Sequence, residues 1–267
     1  MVYDKIKTDC RKLKKYAIET IAIGGSILEF VNNFERMIFK MGYNPAFPVN
    51  IAQGNIIAHW TPTRTCIKKF NAGLCILDFG LETGDIIVDT AITIPLGLQA
   101  KSKYSEKIKN YRADLIGIAK NTTIGTPILD QIKSIEKLAE RYNFQILSGL
   151  GGHNILPGKL HGDSSIPHCI QDYDPFNNFN HYNVGCYCIE PFMVVDSNSF
   201  TISTLESPIY QYRDSKNRTR YTCDRWSDYD KSKCGYPVDM LVADRSVSII
   251  QEEVCIKVDK TTCIISS

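Results

Sequence analysis

Asp78 and Asp89 stand inside two apolar runs, Ile76-Leu77-Asp78-Phe79-Gly80 and Ile86-Ile87-Val88-Asp89-Thr90-Ala91-Ile92-Thr93, which flank a short turn holding Thr83 and Gly84. Two such runs around a turn signal predict a β-hairpin. A turn centred on Thr83 and Gly84 would set Asp78 directly opposite Asp89, with Cβ atoms about 4.5–5.5 Å apart. Two carboxylates at ~5 Å repel by about 3 kcal/mol at an effective dielectric near 20. A cation between them converts that repulsion into coordination; the alternative is that one Asp is simply solvated at a sheet edge. Three further segments bear on the choice. Leu150-Gly151-Gly152-His153-Asn154 places a histidine after paired glycines, and Cys188-Ile189-Glu190-Pro191-Phe192 places an acid in an apolar strand. Ile250-Gln251-Glu252-Glu253-Val254 does so again. Each alone is more often a satisfied core or edge residue. Together, carboxylates and one imidazole on strands form a donor set suited to a pair of divalent ions.

With these motifs in place, the chain resembles the methionine aminopeptidases of the creatinase-like "pita-bread" fold. Leu77-Asp78-Phe79-Gly80 and Asp89-Thr90-Ala91-Ile92-Thr93 look like that family's first two ligand motifs, and the order Asp, Asp, His, Glu, Glu is its signature. Ala46-Phe47-Pro48 with Ala58-His59-Trp60-Thr61-Pro62, and the spacing from His153 to His161, are similar to the type II branch. The resemblance implies two divalent ions (manganese, iron, cobalt or zinc) held by Asp78, Asp89, His153, Glu190 and Glu252, with Asp89 and Glu252 bridging. Glu253 stays open as the last ligand, because Gln251-Glu252-Glu253-Val254 departs from the Glu-His-Thr or Glu-Asp-Thr usual there. The resemblance further makes Glu190 the proton acceptor and His59 and His161 the substrate-contacting catalytic histidines. Phe47, Leu160 and Tyr236 match positions that wall the pocket for the first side chain.

These residues need elements to position them, and the chain reads as two similar halves, about 1–100 and 101–267. In the first, a helix over about Tyr3–Ile21 meets Gly24 and Gly25. Ser26 and Glu29 then form a capping box for a second helix striped by Ile27, Val31, Phe34, Ile38 and Met41. In the second, the stripe Tyr104, Ile108, Tyr111, Leu115, Ile118 leads to Gly125. Thr126 as N-cap and Pro127 at the first helical position then open a helix striped by Leu129, Ile132, Ile135, Leu138 and Tyr142. Two helices followed by strands, twice over, suggest an internal duplication. Residues from about 198 to 234 turn polar and read as a surface insertion between core strands.

The bulk properties are those of an ordinary globular chain of 267 residues, 43% hydrophobic and 22% charged. A formal net charge of +2 gives no broad pull toward nucleic acid or acidic membrane. The early basic residues, Lys5, Lys7, Arg11, Lys12, Lys14 and Lys15, read as the wet face of the first helix. No apolar run reaches spanning length and the start of the chain is polar, so no membrane helix or signal peptide is expected. The ten cysteines lack CxxC pairs and fit buried thiols of a reducing compartment, with Cys223 and Cys234 as a less favoured metal clip. The expectation is therefore a single-domain α+β pita-bread protein, cytoplasmic and monomeric. Its curved antiparallel sheet would be covered by helices. It would remove initiator methionine from nascent proteins, preferably before a small second residue. The alternatives are a proline-specific aminopeptidase or dipeptidase of the same fold, and a non-catalytic binding homologue.

Overall fold

The first helix folds as α1 (Val2–Thr20), burying Ile6, Cys10, Leu13 and Ala17. The computed structural model describes residues 2–177, 179–196, 199–227, 229–260 and 263–266. Most of the early cations line the wet side of α1, but Lys14 does not: it is 6% exposed and points inward. Helix α2 (Ile27–Lys40) starts where the capping box predicts, with Ser26 Oγ accepting from the Glu29 N–H at 3.3 Å. Its stripe of Ile27, Val31, Phe34 and Ile38 is buried.

The first half continues with β1 (Asn50–Gln53), β2 (Ile56–Ala58), β3 (Gly73–Thr83) and β4 (Ile86–Leu96). β3 and β4 form a long antiparallel hairpin, flanked on the other side of β3 by β1. Its turn is one residue later than expected. Thr83 pairs with Ile86 around Gly84-Asp85, and Gly84 has φ +61°. A positive φ at the first of two turn residues is the type II′ hairpin pattern. The shift sets Asp78 opposite Ala91 and Asp89 opposite Gly80. The two aspartates are therefore diagonal neighbours on one face, and not directly opposed. Diagonal pairs stand about 7–8 Å apart at the backbone, which leaves room for a cation between converging carboxylates.

The second half repeats the helix pair with α3 (Leu98–Lys120) and α4 (Ile128–Tyr142). Here the expected cap moves by one residue: Pro127 is the N-cap, the helix begins at Ile128, and Thr126 Oγ1 instead accepts from the Thr123 N–H. The halves share more than order. Gly24 (φ +83°) and Gly125 (φ +84°) turn alike, donating to the carbonyls of Phe70 and Tyr182. Ile27 and Ile128 likewise donate to Lys68 and Asn180. The same local solution thus holds each second helix against its own half.

After α4 come β5 (Gly152–Ile155), β6 (Gly185–Ile189), β7 (Phe192–Val194), β8 (Ile202–Arg213), β9 (Thr219–Cys223), β10 (Pro237–Ala243), β11 (Ile249–Gln251) and β12 (Val254–Val258). β5, β6 and β12 are antiparallel neighbours, as are β7 and β11. Side-chain and backbone bonds stitch β4 to the β11–β12 segment. Gln251 N donates to Thr93 Oγ1, Thr93 Oγ1 donates to Gln251 O, and Thr93 N donates to Glu252.

The polar segment between the core strands is more than a surface appendage. Its residue 198 lies outside the described residues, but from Ile202 it forms β8 and β9, and β8 pairs in turn with β10, which follows the segment and pairs with β2 of the first half. It is anchored by buried ion pairs: Arg225 to Glu35 at 2.6 Å, and Arg220 to Glu82. One face of this sheet looks into the cavity where the candidate residues gather.

Candidate active site

Asp78 and Asp89 reach the site from the β3–β4 hairpin, whose close packing explains Gly80. A Cβ there would stand 2.8 Å from both Ala46 Cβ and Phe47 Cε1, so only glycine lets Phe47 lie over the hairpin. The paired glycines have the same kind of cause. A Cβ on Gly151 would meet the Ile166 carbonyl oxygen at 2.5 Å, and one on Gly152 would collide with the Cys188 carbonyl. β5 can therefore press against β6, which puts His153 directly across from Cys188. His153 Nε2 then lies 3.6 Å from Asp89 Oδ2 and 3.4 Å from Glu190 Oε1.

Sequence reasoning missed His168, which is fully buried. Its Nε2 accepts from the backbone N–H of both Gly152 and Glu190, at 3.0 Å each. A ring nitrogen that accepts twice must be unprotonated, and burial pushes the His168 pKa down to about 4. This neutral histidine clamps the ends of two strands that carry candidate ligands. No local pattern in Pro167-His168-Cys169 announces that role.

The last ligand position requires a correction. Glu252 does not face the aspartates: its carboxylate is held by Arg112, through Nε and through Nη2 at 3.0 Å, and by the Thr93 N–H at 2.9 Å. Glu253 points the other way. Its carboxylate clusters with those of Asp78 and Asp89, and neither of its buried oxygens has a hydrogen-bond partner. Strand pairing breaks between Gln251 on β11 and Val254 on β12. The two glutamates occupy that jog and diverge.

Asp89 is common to two donor clusters, Asp78–Asp89–Glu253 and Asp89–His153–Cys188, and within each the donor atoms lie within 4.8 Å of one another. Few protein donors compensate these acids. Asn50 Nδ2 reaches Asp78 at 3.0 Å, Thr90 N reaches Asp89 at 2.9 Å, and Gln251 Nε2 reaches Glu190 at 3.3 Å. Burial, then the neighbouring carboxylates, hold Asp78, Glu190 and Glu253 well above the ordinary carboxylate range. Crowded, buried, under-donated oxygen ligands with one imidazole fit divalent cations.

That arrangement sets a pH dependence. Unfolded carboxylates ionise near pH 4, but these three keep protons to higher pH when folded without cations. The native state then binds more protons than the unfolded chain, so stability present below about pH 4 is lost as pH rises. Chelator-treated protein is expected to melt at progressively lower temperature from pH 5 to pH 8, and manganese to reverse the loss. At 100 times its Kd a ligand adds about 2.7 kcal/mol, worth roughly 5–10 °C in a chain of this size. Melting curves with and without EDTA check this; a Tm indifferent to chelator at every pH would contradict it.

Around these acids opens a cavity of about 750 Å³. Phe47, Leu160 and Ile209 give it an apolar wall, while His59 and His161 stand at its polar side. His59 Nδ1 is 2.8 Å from the Asp239 carbonyl oxygen, so that nitrogen carries the proton and donates. His161 Nδ1 lies 2.6 Å from the Tyr221 hydroxyl, and its ring meets that of His153 at 4.3 Å between centroids. The surrounding protein, then His153 and His59, push the His161 pKa down, and burial does the same to His59. Burial also pushes the Tyr221 hydroxyl up to about 12, so it stays protonated and has a proton to offer His161 Nδ1. His161 is neutral, and where Tyr221 donates to Nδ1 its proton stands on Nε2.

Tyr236 is a second correction. It is 89% exposed and sits in a separate shallow groove with Gln211 and Lys233. β10 begins only at Pro237, so Tyr236 ends the preceding turn and faces outward. Ile209 and Tyr221, from the polar segment, line the cavity instead. No disulfide joins the described cysteines, and neither Cys223 nor Cys234 belongs to a metal-ligand cluster among the described residues. No helix among them is long and apolar enough to cross a membrane.

Two helix pairs backing curved antiparallel strands, with acids from both halves meeting in the cleft, define the pita-bread class. Solved structures agree. Methionine aminopeptidase from Rickettsia prowazekii superposes with TM-score 0.69 at 15% identity, covering 98% of this chain and 94% of that one. Prolidase from Pyrococcus furiosus gives 0.59 at 14%, covering 98% of this chain but 61% of that one. No family model matches the chain. Sequence relatives narrow the class. A methionine aminopeptidase from Methanothermus fervidus is 31% identical over 166 residues, 58% of this chain and 88% of the relative. One from Pyrococcus abyssi is 29% identical over 203 residues, 76% of this chain and 66% of the relative, so the match spans just under two thirds of its length. The chain belongs to the methionine aminopeptidase family.

Proposed function

We propose that the chain is a metal-dependent methionyl aminopeptidase acting on the N-termini of newly made proteins. The observation that carries this reading is the convergence of Asp78, Asp89, His153 and Glu190 at the floor of a cavity with an apolar wall and two neutral histidines, with Glu253 buried against the aspartates. Asp89 and Glu253 would be shared between two divalent ions, Asp78 would complete one site, and His153 with Glu190 the other. Divalent ions, when bound, supply Lewis acidity and make water a stronger acid. The protein's own groups do the rest. Glu190 lies beside His153 at the cavity floor and accepts the proton of the attacking water on a carboxylate oxygen. His161, when Tyr221 donates to its Nδ1, carries its proton on Nε2 and donates toward the oxyanion that develops on the scissile carbonyl. His59, fixed through Nδ1, borders the same space. The apolar wall of Phe47, Leu160 and Ile209 suits an unbranched, polarizable thioether. The work belongs in the cytoplasm, on a monomer, and the buried thiols suit that reducing setting.

Peptides of equal length beginning Met-Ala, Met-Leu, Val-Ala and Met-Pro, offered to protein loaded with each metal in turn, test the proposal. One methylene more or less in such a pocket is worth about 1–3 kcal/mol, or about 10–200-fold. Met-Ala is expected to be cleaved at least 10-fold faster than Val-Ala or Met-Leu. Cleavage that demands proline in second place and ignores the first residue would move the assignment to the proline-specific enzymes. Metal binding without cleavage of any peptide would favour a binding protein.

A further inference from the structure

Cys188 occupies a position that the carboxylate-and-histidine account leaves unused. It lies on β6, two residues before Glu190, which follows directly after the strand's last residue, Ile189. It pairs directly across β5 with His153 and directly across β12 with Cys255. Its sulfur and the ligand atoms of Asp89 and His153 lie within 4.8 Å of one another. The residue is fully buried, and its surroundings include the acid of Glu253. Cys188 packs into the hydrophobic core together with Cys255, yet its sulfur also borders the acid and imidazole of the candidate centre.

We propose that the Cys188 sulfur is a ligand to the ion on the His153 side, giving that ion a sulfur, nitrogen and oxygen donor set from Cys188, His153, Asp89 and Glu190. The inference rests on the two-ion reading above and sharpens it. The ion on the Asp78–Glu253 side keeps oxygen donors alone, so the two positions differ in softness. Thiolate favours zinc and cobalt over manganese, whereas carboxylates accept manganese readily. The two positions should therefore fill with different preferences. On coordination the S–H bond gives up its proton to solvent and the sulfur lone pair bonds to the ion.

Cobalt(II) reports sulfur directly, because a thiolate ligand adds an intense ligand-to-metal charge-transfer absorption in the near ultraviolet that oxygen and nitrogen ligands do not. Chelator-stripped protein would be titrated with cobalt while absorbance and bound metal are both measured. The charge-transfer band is expected to grow with the filling of one ion position, to vanish in Cys188→Ser, and to persist in Cys255→Ser. Cys188→Ser is nearly isosteric, and a melting curve on each variant establishes folding. Cys188→Ser is also expected to lose zinc affinity by at least about 10-fold, the lower end of what even outer-shell changes cost, with manganese affinity little changed. Full cobalt binding by the wild type without the band would overturn the proposal and leave the oxygen-and-nitrogen centre standing. A band that survives in Cys188→Ser and vanishes in Cys255→Ser would move the sulfur donor to Cys255. No cobalt binding at all would instead remove the metal reading itself.

Discussion

Glu253→Gln is expected to strip at least one ion from the site and reduce turnover to background, while Glu252→Gln keeps its metal and loses stability. The neighbouring glutamates differ in what faces them. Glu253 sets its carboxylate beside those of Asp78 and Asp89 with no N–H donor and only the Cys188 thiol nearby, so an amide there removes the charge that a shared cation requires. Affinity should fall by more than the roughly 10–100-fold typical of outer-shell partners. Glu252 is the counter-charge of Arg112, and it also faces Lys14, whose pKa burial pushes down to about 8. Removing one partner of a buried pair costs about 3–5 kcal/mol, and less here because the Arg112 side chain keeps 29% of its exposure. Metal analysis and melting curves on both variants separate the two roles. Metal lost from Glu252→Gln and retained by Glu253→Gln would reverse the assignment.

His161→Ala is expected to lower kcat by about 10²–10³, the usual cost of one oxyanion donor, with metal content unchanged. Tyr221→Phe should give a milder loss in the same direction. Without the hydroxyl, His161 is free to exchange tautomers, and part of the population then offers a lone pair to the substrate oxygen in place of N–H. Because the effect concerns the developing charge, it should fall on kcat more than on KM. Metal analysis alongside steady-state kinetics checks both variants; a missing ion in His161→Ala would make that histidine a ligand.

How much of this was legible beforehand depended on whether local rules governed each position. Helices α1, α2 and α3 followed from their stripes, and the β3–β4 hairpin from two apolar runs around a glycine. The hairpin register missed by one turn residue, because Thr83-Gly84 and Gly84-Asp85 are both reasonable turns and only backbone geometry selects between them. Glu252 and Glu253 could not be separated, since a one-residue slip exchanges the faces of a strand and the chain jogs between β11 and β12 at that point. Tyr236 failed for a related reason: matching a position by sequence assumes that the polar segment folds as it does in relatives. His168 and Tyr221 left no signal at all. Their partners, Gly152 and Glu190 for one and His161 for the other, are brought near only by the assembled sheets.

His59 sits in left-handed backbone, φ +61°, a conformation that costs a residue with a side chain about 1–3 kcal/mol. Two bonds from β8 and β10 hold it there: Ser207 Oγ donates to its carbonyl at 2.5 Å, and its ring donates to Asp239 O. Both partners lie more than half the chain away. Until β8 and β10 dock, nothing compensates the strain, and His59 is free to relax to ordinary backbone. Closing such long loops comes late in folding, after helices and hairpins have formed from local contacts. A refolding chain should therefore regain its helical signal before its catalytic power.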